Sequence, residues 1–109
     1  METREEVIRY CMTFEDVYED YPFRDGNWTV MRCRKNKKAF AFIYERDGHL
    51  CVNVKCDPEW VSVWRSTFEA VIPGYHMNKK YWNTIILDMP VPMEEVMRMI
   101  GESYDLVHS

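Results

Sequence analysis

The sequence predicts an α+β fold, a single domain whose antiparallel sheet carries packed helices in the order α-β-β-β-α-β-β-α. Three observations lead there. Short apolar segments are joined by polar or Gly-containing turns in the first half of the chain, the pattern of a meander. Helix-start signals stand at Thr3, at Asp57-Pro58 and after Pro92. The chain has 109 residues, 47% apolar and 15% aromatic, enough for one ring-rich core and too apolar for a disordered chain.

Thr3 and Glu6 have the spacing of a capping box. Val7, Ile8, Cys11 and Met12 then recur at helical intervals, so a first helix is expected to end near Phe14. The acidic run E-D-V-Y-E-D-Y-P-F-R-D-G-N reads as an irregular connection broken by Pro22 and Asp25-Gly26. Three strands follow: Trp28–Cys33, Ala39–Glu45 and Leu50–Lys55, joined by R-K-N-K-K and R-D-G-H turns. Leu50, Val52 and Val54 alternate with Cys51, Asn53 and Lys55, giving the third strand one buried face. The run A-F-A-F-I-Y is apolar on both faces, as a central strand requires.

Asp57 is placed to cap a helix whose first residue is Pro58 and whose stripe is Trp60, Val61, Trp64 and Phe68. Val71–Met77, interrupted by Pro73-Gly74, and Trp82–Asp88 then form two strands, with M-N-K-K-Y as a hairpin tip. Met93, Val96, Met97 and Ile100 mark a last helix, its methionines assigned to the core.

No apolar run is long enough to span a bilayer, and the first residues lack a signal-peptide core. Cys11, Cys33, Cys51 and Cys56 have neither C-x-x-C nor zinc-ribbon spacing. Reduced, buried thiols in a soluble cytoplasmic protein are therefore expected. His49, His76 and His108 are isolated, and the four glycines form no phosphate-cradling loop. No metal or cofactor is expected.

The formal net charge is −4, which opposes tight non-specific binding to nucleic acid. Its distribution is uneven. Residues 1–25 hold eight acids against Arg4, Arg9 and Arg24, whereas Arg32, Arg34, Lys35, Lys37, Lys38 and Arg46 face only Glu45 across residues 32–46. A second cationic tip is Asn78-Lys79-Lys80, flanked by rings. Such tips fit a phosphate backbone, and charged turns equally serve solubility.

The blocks E-D-Y-P-F (Glu19–Phe23), K-K-A-F-A-F (Lys37–Phe42), V-N-V-K-C-D-P-E (Val52–Glu59) and P-G-Y-H-M-N-K-K-Y-W-N-T (Pro73–Thr84), with the closing S-Y-D-L-V, occur in order along nearly the whole chain. In these the sequence resembles the MmcQ/YjbR family of small bacterial proteins. It departs from the family pattern at Tyr81, where histidine is usual, so a role for that histidine does not carry over. The resemblance implies a compact α+β fold similar to secretion-chaperone-like and frataxin-like topologies. It also implies a DNA-binding label, with hairpin "wings" around Arg34–Lys38 and Asn78–Tyr81, and carries over no catalytic residue.

Three functions follow as expectations. The first is a non-enzymatic DNA-binding or transcription-associated protein using Arg32, Arg34, Lys35, Lys37, Lys38, Lys79 and Lys80 on phosphates, with Asn78, Tyr81 or Asn83 on sugars or bases. The second is a module for a small molecule or protein segment, its pocket lined by Lys55, Tyr75, His76 and Trp82, with Trp60 or Trp64. The third and weakest is an enzyme built on Cys56 and His76.

Overall fold

Alternating apolar residues need a partner layer on each face of a sheet, and this chain supplies two different ones. The computed structural model describes residues 1–109. Six strands, β1 (Val17–Asp20), β2 (Thr29–Cys33), β3 (Ala39–Arg46), β4 (His49–Lys55), β5 (Val71–Pro73) and β6 (Trp82–Ile86), form one antiparallel sheet in the order β1-β2-β3-β4-β6-β5. Helices α1 (Arg4–Cys11), α2 (Pro58–Thr67) and α3 (Met93–His108) all pack on one face.

The element order gains one strand over the sequence expectation. β1 lies in the acidic run read as a connection, with only Val17 of its four residues buried. Its signal is weak because the other three side chains are polar or half exposed. The neighbouring strand supplies what its own pattern lacks: Tyr18 opposes Arg32, and Arg32 Nε pairs with Asp20 at 2.8 Å. Asp16 enters with φ of 64°, its carbonyl accepting from the Arg34 amide and its Oδ2 from the Lys35 amide.

The remaining elements follow their local chemistry. Thr3 Oγ1 accepts from the Glu6 amide and starts α1, which ends at Cys11, a turn short of Phe14. Asp57 Oδ1 accepts from the Glu59 amide to cap α2. β3 is central, paired with β2 on one side, where the register shifts between Met31 and Arg32, and with β4 on the other.

The helix-side core gathers Val7, Met31, Ala41, Ile43, Val52, Val54, Ile85, Val96 and Ile100. Phe14, Phe40 and Tyr104 add a ring cluster, with Phe14 stacked on Tyr104 at 4.7 Å. Ser103, fully buried on α3, ties the helix to the sheet: its hydroxyl donates to the Phe40 carbonyl at 2.6 Å and accepts from the Lys55 amide at 2.8 Å. Of the last helix's methionines only Met99 is in the core; Met93 is exposed and Met97 half-buried. No helix is long and apolar enough to cross a membrane.

Candidate functional site

The second face of the sheet has no helix. Phe42 and Tyr44 of β3, Cys51 and Asn53 of β4 and Thr84 of β6 point there, by the two-residue period that sends Ile43, Val52 and Ile85 the other way. Tyr44, Asn53 and Thr84 are nevertheless almost wholly buried, so something must cover them. The covers are two loops, residues 21–28 between β1 and β2 and residues 74–81 between β5 and β6.

A buried polar network holds the second loop down. Asn53 Oδ1 accepts from the Tyr44 hydroxyl at 2.7 Å and from the Thr84 hydroxyl. Asn53 Nδ2 donates to the Tyr75 carbonyl at 2.9 Å, and the Tyr75 amide donates to Thr84 Oγ1 at 3.0 Å. Both backbone groups of Tyr75 are thus satisfied by sheet side chains, as buried polar groups require. The Tyr75 ring lies between the Arg46 guanidinium, 3.9 Å from its centroid, and Trp28, parallel to it at 6.4 Å. Trp28 in turn stacks on Tyr44 at 4.1 Å.

Gly74 and Arg65 fix the ends of the same loop. A Cβ on Gly74 would sit 2.8 Å from Trp82 Cβ and 2.9 Å from the Trp82 carbonyl oxygen, so only glycine permits this approach. Arg65 of α2 donates to Asn83 Oδ1 at 2.7 Å and to the carbonyls of Lys79 and Trp82. The first loop is pinned by Arg4, which donates to the Asn27 carbonyl, Asn27 Oδ1, Thr29 Oγ1 and the Ile43 carbonyl. Asn27 also exchanges two hydrogen bonds with the backbone of Glu45.

Between the loops lies a groove of about 330 Å³ lined by Phe23, Asp25, Trp28, Phe42, His76 and Met77. His76 sits at φ of 61°, in the left-handed region, its ring 4.0 Å from that of Tyr75. Strain of this kind at a cleft is a functional marker. Asp25, which also lines the groove, accepts the Asn27 amide through Oδ1. The site can seat a flat apolar group and offer it one carboxylate and one imidazole.

The structure redistributes the residues that the sequence singled out. Of the pocket candidates, His76 lines the groove, Tyr75 backs it through Trp28, and Trp82 buttresses Phe42 edge-on at 5.6 Å. Lys55 is not part of it; it borders a tight space with Cys56, Trp64 and Glu102. Trp64 is buried in the helix-side core and Trp60 is exposed on α2, so neither tryptophan belongs to the groove. Cys56 is also in the helix-side core, on the opposite face from His76, and burial pushes its thiol up to about 11. The two cannot act as a nucleophile–base pair.

Of the nucleic-acid candidates, four make hydrogen bonds or ion pairs within the chain. Asn83 is 1% exposed and its amide donates to the Val61 carbonyl while its oxygen takes Arg65. Asn78 closes its own turn, its Oδ1 accepting from the Lys80 amide. Lys79 Nζ folds back onto the carbonyls of Gly74 and Met77, and Arg32 pairs with Asp20. Residues 74–81 accordingly form a lid across the sheet face rather than the tight hairpin tip expected from the sequence. Arg34, Lys35, Lys37, Lys38 and Lys80 are exposed, Arg34 lying over the Tyr18 ring and Lys80 over Tyr81.

Phe23, Asp25, Trp28, Phe42 and Met77 were not among the sequence candidates. A signal existed: Phe23, Phe42 and His76-Met77 belong to three separate blocks of the resemblance, and those blocks converge here.

A sheet with helices on one face and a ring-lined groove on the other defines a small α+β domain that presents its site on the helix-free side. The YjbR family model matches residues 12–106, and the chain belongs to the YjbR (MmcQ/YjbR) family. The Bacillus subtilis (strain 168) protein YyaQ is 32% identical, over 97% of this chain and 98% of its own. Escherichia coli (strain K12) YjbR is 26% identical, over 94% and 84% respectively. Among solved structures, Deinococcus radiodurans DR2400, with its DUF419 domain, superposes with a TM-score of 0.90 at 30% identity, covering all of this chain and 80% of that one. A Pseudomonas syringae protein gives 0.85 at 27% identity, over 95% and 97%.

Proposed function

We propose that this chain is a non-enzymatic binding module whose ligand seats a flat apolar group in the groove between residues 21–28 and 74–81. The observation that carries this is the lid itself. A buried polar network, a glycine in close approach and two arginines are all engaged in holding ring-bearing loops over a sheet face that remains open at one place. Pre-formed, mostly apolar clefts of roughly 300 Å³ and above with a few polar groups are the usual form of small-ligand sites. Titration of the 15N-labelled protein with a set of uncharged ring compounds tests it. Amide shifts clustered at Phe23–Trp28, Phe42 and Tyr75–Met77 are expected; hits absent or scattered over the surface refute it.

DNA binding is a second reading, favoured by one specific observation. The β2–β3 turn and the β5–β6 loop leave the same end of the sheet, three strand spacings or about 14 Å apart. Arg34, Lys35, Lys37, Lys38 and Lys80 are the cations free to serve it. Five phosphate contacts give a slope of about −4.5 in log affinity against log salt. Fluorescence anisotropy with a labelled duplex tests this; no binding at low salt eliminates it.

A further inference from the structure

Phosphate recognition requires cations or aimed amides at the site, and no lysine or arginine lines the groove. The Arg46 guanidinium stacks over the Tyr75 ring and lies 3.8 Å from Asp47. What lines the groove instead is one carboxylate, Asp25, with the rings of Phe23, Trp28 and Phe42 and the thioether of Met77. Ring faces carry negative potential that draws cations, tryptophan most strongly. Asp25 holds one oxygen to the Asn27 amide at 3.1 Å and is the one carboxylate that lines the opening. At about 330 Å³ the opening is at the small end of ligand sites. It fits one ring system with a short arm.

Resting on the binding-module reading, we propose that the groove selects a small planar ring that carries a protonated alkylamine on a short arm. The ring lies among Phe23, Trp28, Phe42 and Met77, and the ammonium meets the Asp25 carboxylate. Anionic rings of the same size are rejected, because they meet a carboxylate and no compensating charge. His76, on the far side of the opening, offers a further hydrogen bond to the ring edge.

Three indole probes of nearly equal size separate the possibilities: 3-methylindole (neutral), tryptamine (cationic) and indole-3-acetate (anionic). Each is titrated into the 15N-labelled protein at neutral pH. The expected result is that all perturbations fall on Phe23–Trp28, Phe42 and His76–Met77. Tryptamine should bind at least tenfold tighter than indole-3-acetate. The exposed substitution Asp25→Asn should bring that ratio to within about twofold of one, its fold checked by an unaltered melting curve. Equal affinity of the two charged probes at these residues overturns the charge selection and leaves the groove as a ring site. Preference for indole-3-acetate overturns it likewise. Absence of perturbation by all three at millimolar concentration overturns both the selection and the groove.

Discussion

Asn53→Ala probes the network beneath the lid, and its cost can be worked from the contacts. Asn53 makes three side-chain hydrogen bonds and is fully buried. The Tyr44 and Thr84 hydroxyls are already 3.2 Å apart, so after truncation they can satisfy each other. The Tyr75 carbonyl has no such alternative and is orphaned. An unsatisfied group of this kind costs about 1–3 kcal/mol, and the space left by the amide adds roughly 1 kcal/mol. The sum is about 3 kcal/mol, or roughly 12 °C in Tm for a chain of this length. Urea unfolding followed by far-UV circular dichroism measures the loss directly. Tyr44→Phe removes only one donor to Asn53 Oδ1, which keeps the Thr84 hydroxyl, and should cost about 1 kcal/mol. Because both changes act on one network, the double variant should fall short of their sum by at least 0.5 kcal/mol or so. A loss under about 0.5 kcal/mol for Asn53→Ala, or strict additivity, would refute the claim that this network clamps the lid.

Gly74→Ala forces a Cβ to 2.8 Å from Trp82 Cβ, a clash between two backbone-fixed positions; it should cost about 1–3 kcal/mol by thermal melt. Arg65→Met removes three bonds to the β6 end of the lid and leaves Asn83 Oδ1 without its donor, so a loss of about 2–3 kcal/mol in urea is expected. The thiols give a pH dependence. Burial raises Cys11 to about 12 and Cys51 and Cys56 to about 11, so above about pH 8.5, the ordinary thiol value, the unfolded chain loses protons that the native state keeps. The thiol contribution should be constant below about pH 8, and stability should fall from about pH 8.5 towards 11–12, as read by urea midpoints; a rise across that window contradicts the assignment. The same burial predicts that a thiol-specific chromogenic disulfide reagent at pH 7.5 reacts slowly with native protein and rapidly with all four cysteines in guanidinium.

The helix-capped half of the fold was legible in the sequence, because caps and 3.6-residue stripes are local signals. Thr3, Asp57-Pro58 and the Val96–Ile100 repeat carry their helices without outside help. β1 was not, because its evidence lies in Arg32, a residue on another strand. The site was partly legible. His76 and Tyr75 stood out by composition, but Phe23, Asp25 and Trp28 sit in a run with no periodicity, and only tertiary folding brings them opposite Phe42. The internal partners of the cationic residues were not legible. Charge is visible in sequence, whereas the carbonyls that absorb Lys79 and the acid that absorbs Arg32 are not.

The two outermost strands bear on how this protein behaves at high concentration. An open sheet edge offers unpaired amides and carbonyls that can recruit a strand from another molecule. On one side the edge strand β1 is four residues long and places Glu19 and Asp20 on its rim. On the other, β5 is three residues long and ends in Pro73, which has no amide hydrogen to give. Both borders are therefore poor templates, and strand exchange between molecules is discouraged at each end.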